Sequence, residues 1–423
     1  FYGFFFLALT FSPYLIMKIL HTADWHLGKI LDRFSRIDEQ RAVMEEIVQI
    51  ANDQKVDMVI VAGDLFDNFN PNTDAVELFY KTLKQLSYEG KRPVVAISGN
   101  HDSPKLIDAP DPLARECGIF LIGYPNAIVP PIKAETFEIT TSEEGFLEFR
   151  FEKYPYHLRI LHTPYANEPR LKQELEGDKQ VSLSQLLSDK WHFLANNYCD
   201  SNGVNILTAH LFMQPKNGET LEEPEGERPI RIGNADMIYT DTIPPQIQYT
   251  ALGHLHGFKN IGSEENPIVY ASSPLSYSFS EAGQQKYVVV VEVAPDQRPS
   301  FEKIPLTQGK PLERKSFDNV LHTLEWLRDN PNTWVELTLE LKEYLKAQER
   351  KQLYTTHEGI VFLIPKMSWE LGKSPSGELS LQDINFENIT LLFESYFKYK
   401  NSGIAPNKEI LDLFNEVINT PTE

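Results

Sequence analysis

Only two cysteines, Cys117 and Cys199, occur in 423 residues. They lie far apart and in no CxxC context, which excludes a disulfide framework and a thiolate zinc site. Both read as buried or incidental thiols of a reducing compartment. Positive charge is also short, with 40 Lys and Arg against 60 Asp and Glu and a formal net charge of −20. That balance excludes a generally basic nucleic-acid-binding surface, because Lys and Arg contacts to phosphate supply most non-specific affinity. Binding a polyanion would need divalent cations held where phosphate sits, or a basic groove on a partner subunit. Internal repeats, low-complexity tracts and long like-charge runs are missing, so the chain is expected to fold. The uncharged opening FYGFFFLALTFSPYLI lacks a basic flank and a small-residue cleavage site, and is too short to span a bilayer. Residues 1–16 are read as a non-native or over-extended apolar leader, with Met17 the natural initiator and a secretory signal the less favoured reading. A cytoplasmic location follows.

At this length two to three domains are expected. From Met17 onward, short β-rich apolar runs alternate with amphipathic stretches, the pattern of a layered α/β domain. Residues 18–21 read as a strand. Ile37, Val43, Met44, Ile47, Val48, Ile50 and Ala51 then recur at helical spacing. MVIVAG is a second strand, Val76, Phe79, Leu83 and Leu86 mark a helix, and PVVAIS is a third strand. VNILTAH and YTALGH repeat the arrangement, each running into a histidine, and YVVVVEV closes the domain. GETLEEPEGERP between them is read as a surface loop. The predicted boundaries are 17–300 for the main domain, 301–316 for a linker, 317–384 for a small α+β domain and 385–423 for a two-helix tail. In that tail Ile389, Leu392, Phe393, Tyr396 and Phe397 form one apolar stripe, and Ile410, Leu413, Phe414, Val417 and Ile418 a second, with Asn407 as N-cap.

Chemistry is expected just beyond the strands' carboxyl ends. Five motifs stand there: DWH at 24–26, GDLFD at 63–67, GNHD at 99–102, His210, and GHLH at 253–256. They supply Asp24, His26, Asp64, Asn100, His210, His254 and His256, an oxygen and imidazole set suited to manganese, iron or zinc. Seven ligands are too many for one ion. With one aspartate bridging, they can hold two metals about 3.5–4 Å apart, as in phosphoryl displacement. Glycine precedes three of the motifs, where the backbone is expected to turn sharply. A lone histidine after a strand is more often a surface or hydrogen-bonded core residue, and His157, His162 and His192 take that default.

The series DxH, GDxxD, GNHD, H and GHxH resembles the calcineurin-like metallophosphoesterase superfamily over roughly residues 17–293. That resemblance implies a two-sheet sandwich flanked by helices, with a small α+β capping domain and a C-terminal two-helix tail. Within it, MKILHTADWHLGK, GERPIRIG and YASSPLSYSFSEAGQQKY look like the SbcD family, bacterial relatives of double-strand-break repair nucleases. Carried over residue by residue, Asp24, His26 and His256 would hold one metal and Asn100, His210 and His254 the other, with Asp64 bridging. The histidine of GNHD, here His101, would be the catalytic residue that protonates or stabilises the leaving oxygen, with Asp102 a plausible orienting partner. At Asp67 the chain departs from relatives outside bacteria, which carry histidine there. Trp25 is read as packing, and Lys29 could approach phosphate.

The family implies a manganese-dependent nuclease of DNA replication, recombination and repair. It would act as a 3′-to-5′ exonuclease on duplex ends and an endonuclease on single strands and hairpins. The partners implied are DNA and an SbcC-like coiled-coil ATPase docked on the tail, in a heterotetramer built on a homodimer. Residue spacing by itself indicates metal-assisted phosphoester hydrolysis. A small-substrate metallophosphodiesterase stays open, as does a non-catalytic phosphoesterase-fold scaffold. The protein-phosphatase reading is lowered, since those enzymes carry GDxVDRG and GNHE where this chain has GDLFDNF and GNHD.

Overall fold

The computed structural model describes residues 15–171, 179–216, 221, 237–341, 343 and 345–367, with 393, 394, 397, 406–408, 410, 411 and 414 in the tail. Three alternating βα steps build the first layers: β1 (Met17–Thr22), α1 (Ile37–Asp53), β2 (Met58–Ala62), α2 (Thr73–Leu86), β3 (Val94–Ile97) and β4 (Ile119–Ile122). Helix α2 starts where Asn72 Oδ1 accepts the Ala75 amide at 2.9 Å, satisfying one of the first-turn donors. Its buried face, Ala75, Leu78, Phe79, Leu83 and Leu86, follows the helical repeat.

Next come β5 (Phe137–Glu143), β6 (Phe146–Phe151), β7 (His157–Thr163), α3 (Lys179–Tyr198), β8 (Val204–His210), β9 (Tyr249–Gly253), β10 (Lys259–Asn260), β11 (Ile268–Tyr270), β12 (Tyr287–Val293) and β13 (Ser300–Pro305). One sheet has the order β13-β12-β1-β2-β3-β4, the other β10-β11-β9-β8-β7-β6-β5. Ile19, Ile60, Val95 and Ile97 of the first sheet meet Leu158, Ile160, Ile206 and Ala251 of the second in one core. Each Val, Leu or Ile among them contributes roughly 1.5–3 kcal/mol when fully buried. α1 and α2 cover the outer face of the first sheet, and Leu187, Trp191 and Leu194 of α3 cover that of the second. The fold is the expected two-sheet sandwich flanked by helices.

A third sheet runs β14 (Leu312–Phe317), β15 (Trp334–Leu341), β16 (Ile360–Met367), with α4 (Val320–Asp329) and α5 (Ala347–Thr356). β13 and β14 thus occupy both ends of the segment read as a linker. The strands of residues 137–163 went unnoticed in the sequence.

Residues up to Leu339 with Ala347–Ile364 form one compact unit, and Glu340–Lys346 with the residues from Pro365 onward a second. Within the second, Asn407 Oδ1 accepts the Ile410 amide at 2.9 Å, the expected cap, and the Phe393 and Phe414 rings stack at 3.8 Å. Ile389, Leu392, Tyr396, Leu413, Val417 and Ile418, the block GERPIRIG and most of the leader lie outside the described residues. Among the described residues no helix is long and apolar enough to cross a membrane.

Candidate metal centre

β1, β2 and β3 are parallel and in register, Thr22 beside Val61 and Ala62 beside Ile97, so the loops after them leave from one edge. Across the sandwich, β8 and β9 are parallel with His210 beside Gly253, which brings their ends to the same place. The first two loops are stitched together: the Asp24 amide donates to Gly63 O and the His26 amide to Asp64 O, both at 2.9 Å. Asp24, His26, Asp64 and His254 have φ of 55°, 44°, 48° and 104°. L residues with side chains avoid that left-handed region, and such strain gathers at functional sites where surrounding structure holds it.

All seven expected ligands converge. His26 Nε2 lies 3.1 Å from His256 Nε2, and His210 Nε2 lies 2.9 Å from Asn100 Oδ1. Asp64 Oδ2 stands between the two groups, 3.6 Å from His26 Nε2 and 3.3 Å from His210 Nε2. The Asp24 carboxylate accepts the His254 amide at 2.8 Å. Among the described residues, three sets have donor atoms close enough to share a cation: Asp24, His26, His256; Asp64, His210, His254; and His26, Asp64, His101.

Glycine serves the site by space as much as by turning. Gly99 and Gly253 have no positive φ. A Cβ on Gly99 would sit 2.1 Å from Asp64 Oδ1, and one on Gly253 would sit 1.9 Å from Ala62 O.

Without a cation, burial pushes Asp24 up to about 6. Asp64 is equally buried, yet the imidazoles of His210, His26 and His101 outweigh desolvation and hold it well below the carboxylate range. Burial disfavours the charged form of His210, but Asp64 and Asp24 overcome it and raise the ring to about 9. Asp24 Oδ2 is buried with no hydrogen-bond partner, an arrangement costly in water-free surroundings unless a cation takes the lone pair. Two carboxylates, an amide oxygen and imidazoles, with no thiolate, fit divalent manganese, iron or zinc.

Residues 17–257 match the calcineurin-like phosphoesterase family. Over 409 residues the chain is 32% identical to the SbcD component of the SbcCD nuclease of Bacillus subtilis, an alignment that covers 95% of this chain and 97% of that protein. The chain belongs to the SbcD branch of the calcineurin-like phosphoesterases. The Staphylococcus saprophyticus protein of the same name is 29% identical over 70% of this chain and 71% of its own. A dimetal phosphatase from Danio rerio covers 69% of this chain and 99% of itself at 12% identity and a TM-score of 0.37, a likeness too slight to bear on the site.

Several supporting roles in this phosphoesterase differ from expectation. Asp102 does not reach the His101 ring as an orienting partner. Its two carboxylate oxygens accept the amides of Leu65, Phe66 and Gly99 at 2.8–3.0 Å, which ties GNHD to GDLFD. His101 Nδ1 instead lies 2.7 Å from the main-chain carbonyl of Asp67. A carbonyl only accepts, so Nδ1 carries the proton. The Asp67 carboxylate pairs with Lys29 at 3.1 Å. Trp25 is core, donating to Thr22 Oγ1 at 3.0 Å and meeting Phe79 edge-on.

Four buried residues escaped the sequence reading. Gln40 takes the Gly28 amide and donates to His26 O. Arg170 donates to Gly99 O and Asp102 O, both at 2.8 Å. Glu281 accepts from His256 Nδ1 at 3.2 Å and pairs with Lys286. Burial opposes that carboxylate's charge, but His256 and Lys286 hold it at about 2. Glu281 and Lys286 fall inside SFSEAGQQK, a stretch noticed only for its resemblance. Of the three default histidines, His157 lies beside Glu148, His192 bonds Ser188 O, and His162 is buried with neither ring nitrogen hydrogen-bonded, so it is core but not satisfied core.

Proposed function

We propose that the chain is the nuclease subunit of a DNA-end-processing complex, a manganese-dependent phosphodiesterase that trims 3′ ends of duplex DNA and cuts single strands and hairpins. The convergence of six candidate donors around Asp64 carries the reading. Asp24, His26 and His256 would hold one ion and Asn100, His210 and His254 the other, with Asp64 shared between them. Bound there, the two ions supply positive charge that activates water and offsets charge on the phosphoryl oxygens. His101, its Nδ1–H fixed on Asp67 O, would act from Nε2 as the doubly protonated ring, giving that second proton to the departing sugar oxygen and being left neutral. The Asp102 carboxylate and Arg170 keep the loop that carries His101 rigid.

A basic partner would supply the phosphate-binding surface that a chain of net charge −20 has little of. An SbcC-like coiled-coil ATPase fits that need, with residues 385–423 as its docking segment in a heterotetramer built on a homodimer of this chain. Residues 17–300 are the nuclease domain and 317–384 the capping domain. Truncation after residue 384 is expected to leave manganese-dependent cutting of short single strands intact while abolishing co-purification with the ATPase. Parental affinity of the truncated chain for the ATPase would assign the helices to the protein's own core.

The direct test is to incubate the purified chain with manganese and hairpin DNA, with p-nitrophenyl phosphate in parallel. Cleavage of DNA that chelation abolishes and manganese restores is the expected result. Undiminished hydrolysis after exhaustive metal removal would sink the two-metal reading, and activity on the small ester alone would sink the nuclease.

A further inference from the structure

Glu281 and Lys286 are 3% and 5% exposed, and a carboxylate and an ammonium are not buried so deeply without a partner and a cause. Neither belongs to any of the five motifs. Glu281 sits at the end of a short 3-10 turn, Phe279–Glu281, closed by a capping box with Ser278. Its Oε1 faces His256 Nδ1 at 3.2 Å and also accepts the amides of Tyr277 and Ser278 at 3.2 Å. Its Oε2 takes the Lys286 ammonium, which in turn donates to the main-chain oxygen of His256 at 2.9 Å. One residue, His256, is thus held at both ring and backbone by a single buried ion pair.

The consequence is a fixed tautomer. A carboxylate against Nδ1 keeps the proton there, and Nε2 is left with its lone pair. That Nε2 is the atom 3.1 Å from His26 Nε2. Tyr277, whose amide Glu281 also holds, packs edge-on against both His26 and His256. By contrast, His210 on the other half of the centre places Nδ1 2.9 Å from a main-chain carbonyl, Ala62 O.

We propose that Glu281, with Lys286 as counter-ion, is a positioning residue that sets the tautomer and basicity of His256 and so tunes only the cation held by Asp24, His26 and His256. The idea rests on the two-metal reading above. Its signature is asymmetry: removing Glu281 weakens one of two ions.

Full-length chain stripped with chelator is titrated with manganese by calorimetry and by electron paramagnetic resonance, comparing the parent, Glu281→Gln and Glu281→Gln/Lys286→Met. The double variant removes the stranded ammonium, so a folding defect of the single variant is separated from a defect at the metal. Thermal melts of the stripped proteins monitor the fold. The parent is expected to take two ions with a spin-coupled signal. Both variants should keep one ion at parental affinity and lose affinity for the other by roughly 10- to 100-fold, with a mononuclear signal at intermediate loading. Two ions at parental affinity in the double variant would overturn the proposal. Equal weakening of both ions would overturn it too, since Glu281 would then support the scaffold and not His256. A parent chain that takes up no manganese would bring down the metal centre itself, a failure distinct from either.

Discussion

The two sheets bring different chemistry to the seam between them. Loops after β1, β2 and β3 supply every oxygen donor, Asp24, Asp64 and Asn100, together with His26 and His101. The second sheet supplies imidazoles alone, from His210 at the end of β8 and His254 and His256 just past β9. On the first side, neighbouring loops hold one another through main-chain bonds and through Asp102. On the second side, the rings are aimed by groups reached across the fold, Ala62 O for His210 and Glu281 for His256. The oxygen donors are therefore a local product of three parallel strand ends, whereas the imidazoles depend on how the sheets face each other.

Asp64 is where the two contributions meet, so Asp64→Ala is expected to do the most harm. It should remove both ions and all measurable phosphodiesterase activity, checked by elemental analysis and cleavage of hairpin DNA. Metal content equal to the parent's would show that each ion is held without a carboxylate shared between them. Gly253→Ala attacks the seam while leaving every candidate donor in the sequence, although its methyl would also come within 2.9 Å of His210 Nδ1. A methyl group 1.9 Å from Ala62 O must push β9 away from β2, and a loss of about 3 kcal/mol in urea unfolding is expected. Unchanged stability would mean that the sheets adjust freely at this edge.

His101→Gln separates catalysis from metal binding on the first side. Turnover should fall on the order of 100-fold while both ions stay bound. Metal loss in that variant would move His101 into the ligand set with His26 and Asp64, a grouping the geometry also allows.

The smallest effect concerns the buried histidines beneath the centre. His21 of the first sheet lies 2.9 Å from Tyr249 Oη and 3.2 Å from Leu252 O, while His162 of the second has no hydrogen-bond partner. Burial lowers each to about 3. The unfolded chain takes up these protons below about pH 6.5, the folded chain only near 3. Stability present above pH 6.5 is therefore lost as pH falls toward 3, by up to about 1.4 kcal/mol per pH unit for each ring. His162→Leu should flatten the urea-unfolding slope of chelator-stripped protein between pH 6 and pH 4 by about that amount. An unaltered slope would show that the His162 ring is protonated in the folded state.

Much of this was legible along the chain because strand ends and turn residues are local. DWH, GDLFD and GNHD each follow a buried β run of four to six residues, and period and glycine placement mark those ends without any tertiary knowledge. The candidate donors of these motifs, their order and the layered α/β class are expected from that. What spacing does not carry is which atoms touch across 25 to 230 positions: that His256 leans on Glu281, that His254 is tied to Asp24, that Asp102 holds amides while Asp67 O holds His101. No motif marks Glu281 and Lys286 in SFSEAGQQK, and only burial against the second sheet's last histidine gives them a role. The sequence determined the donors because each is written within a few residues of its strand. The tertiary structure alone decided their division between two sheets and the buried groups that aim them, because those contacts arise only when the sheets pack face to face.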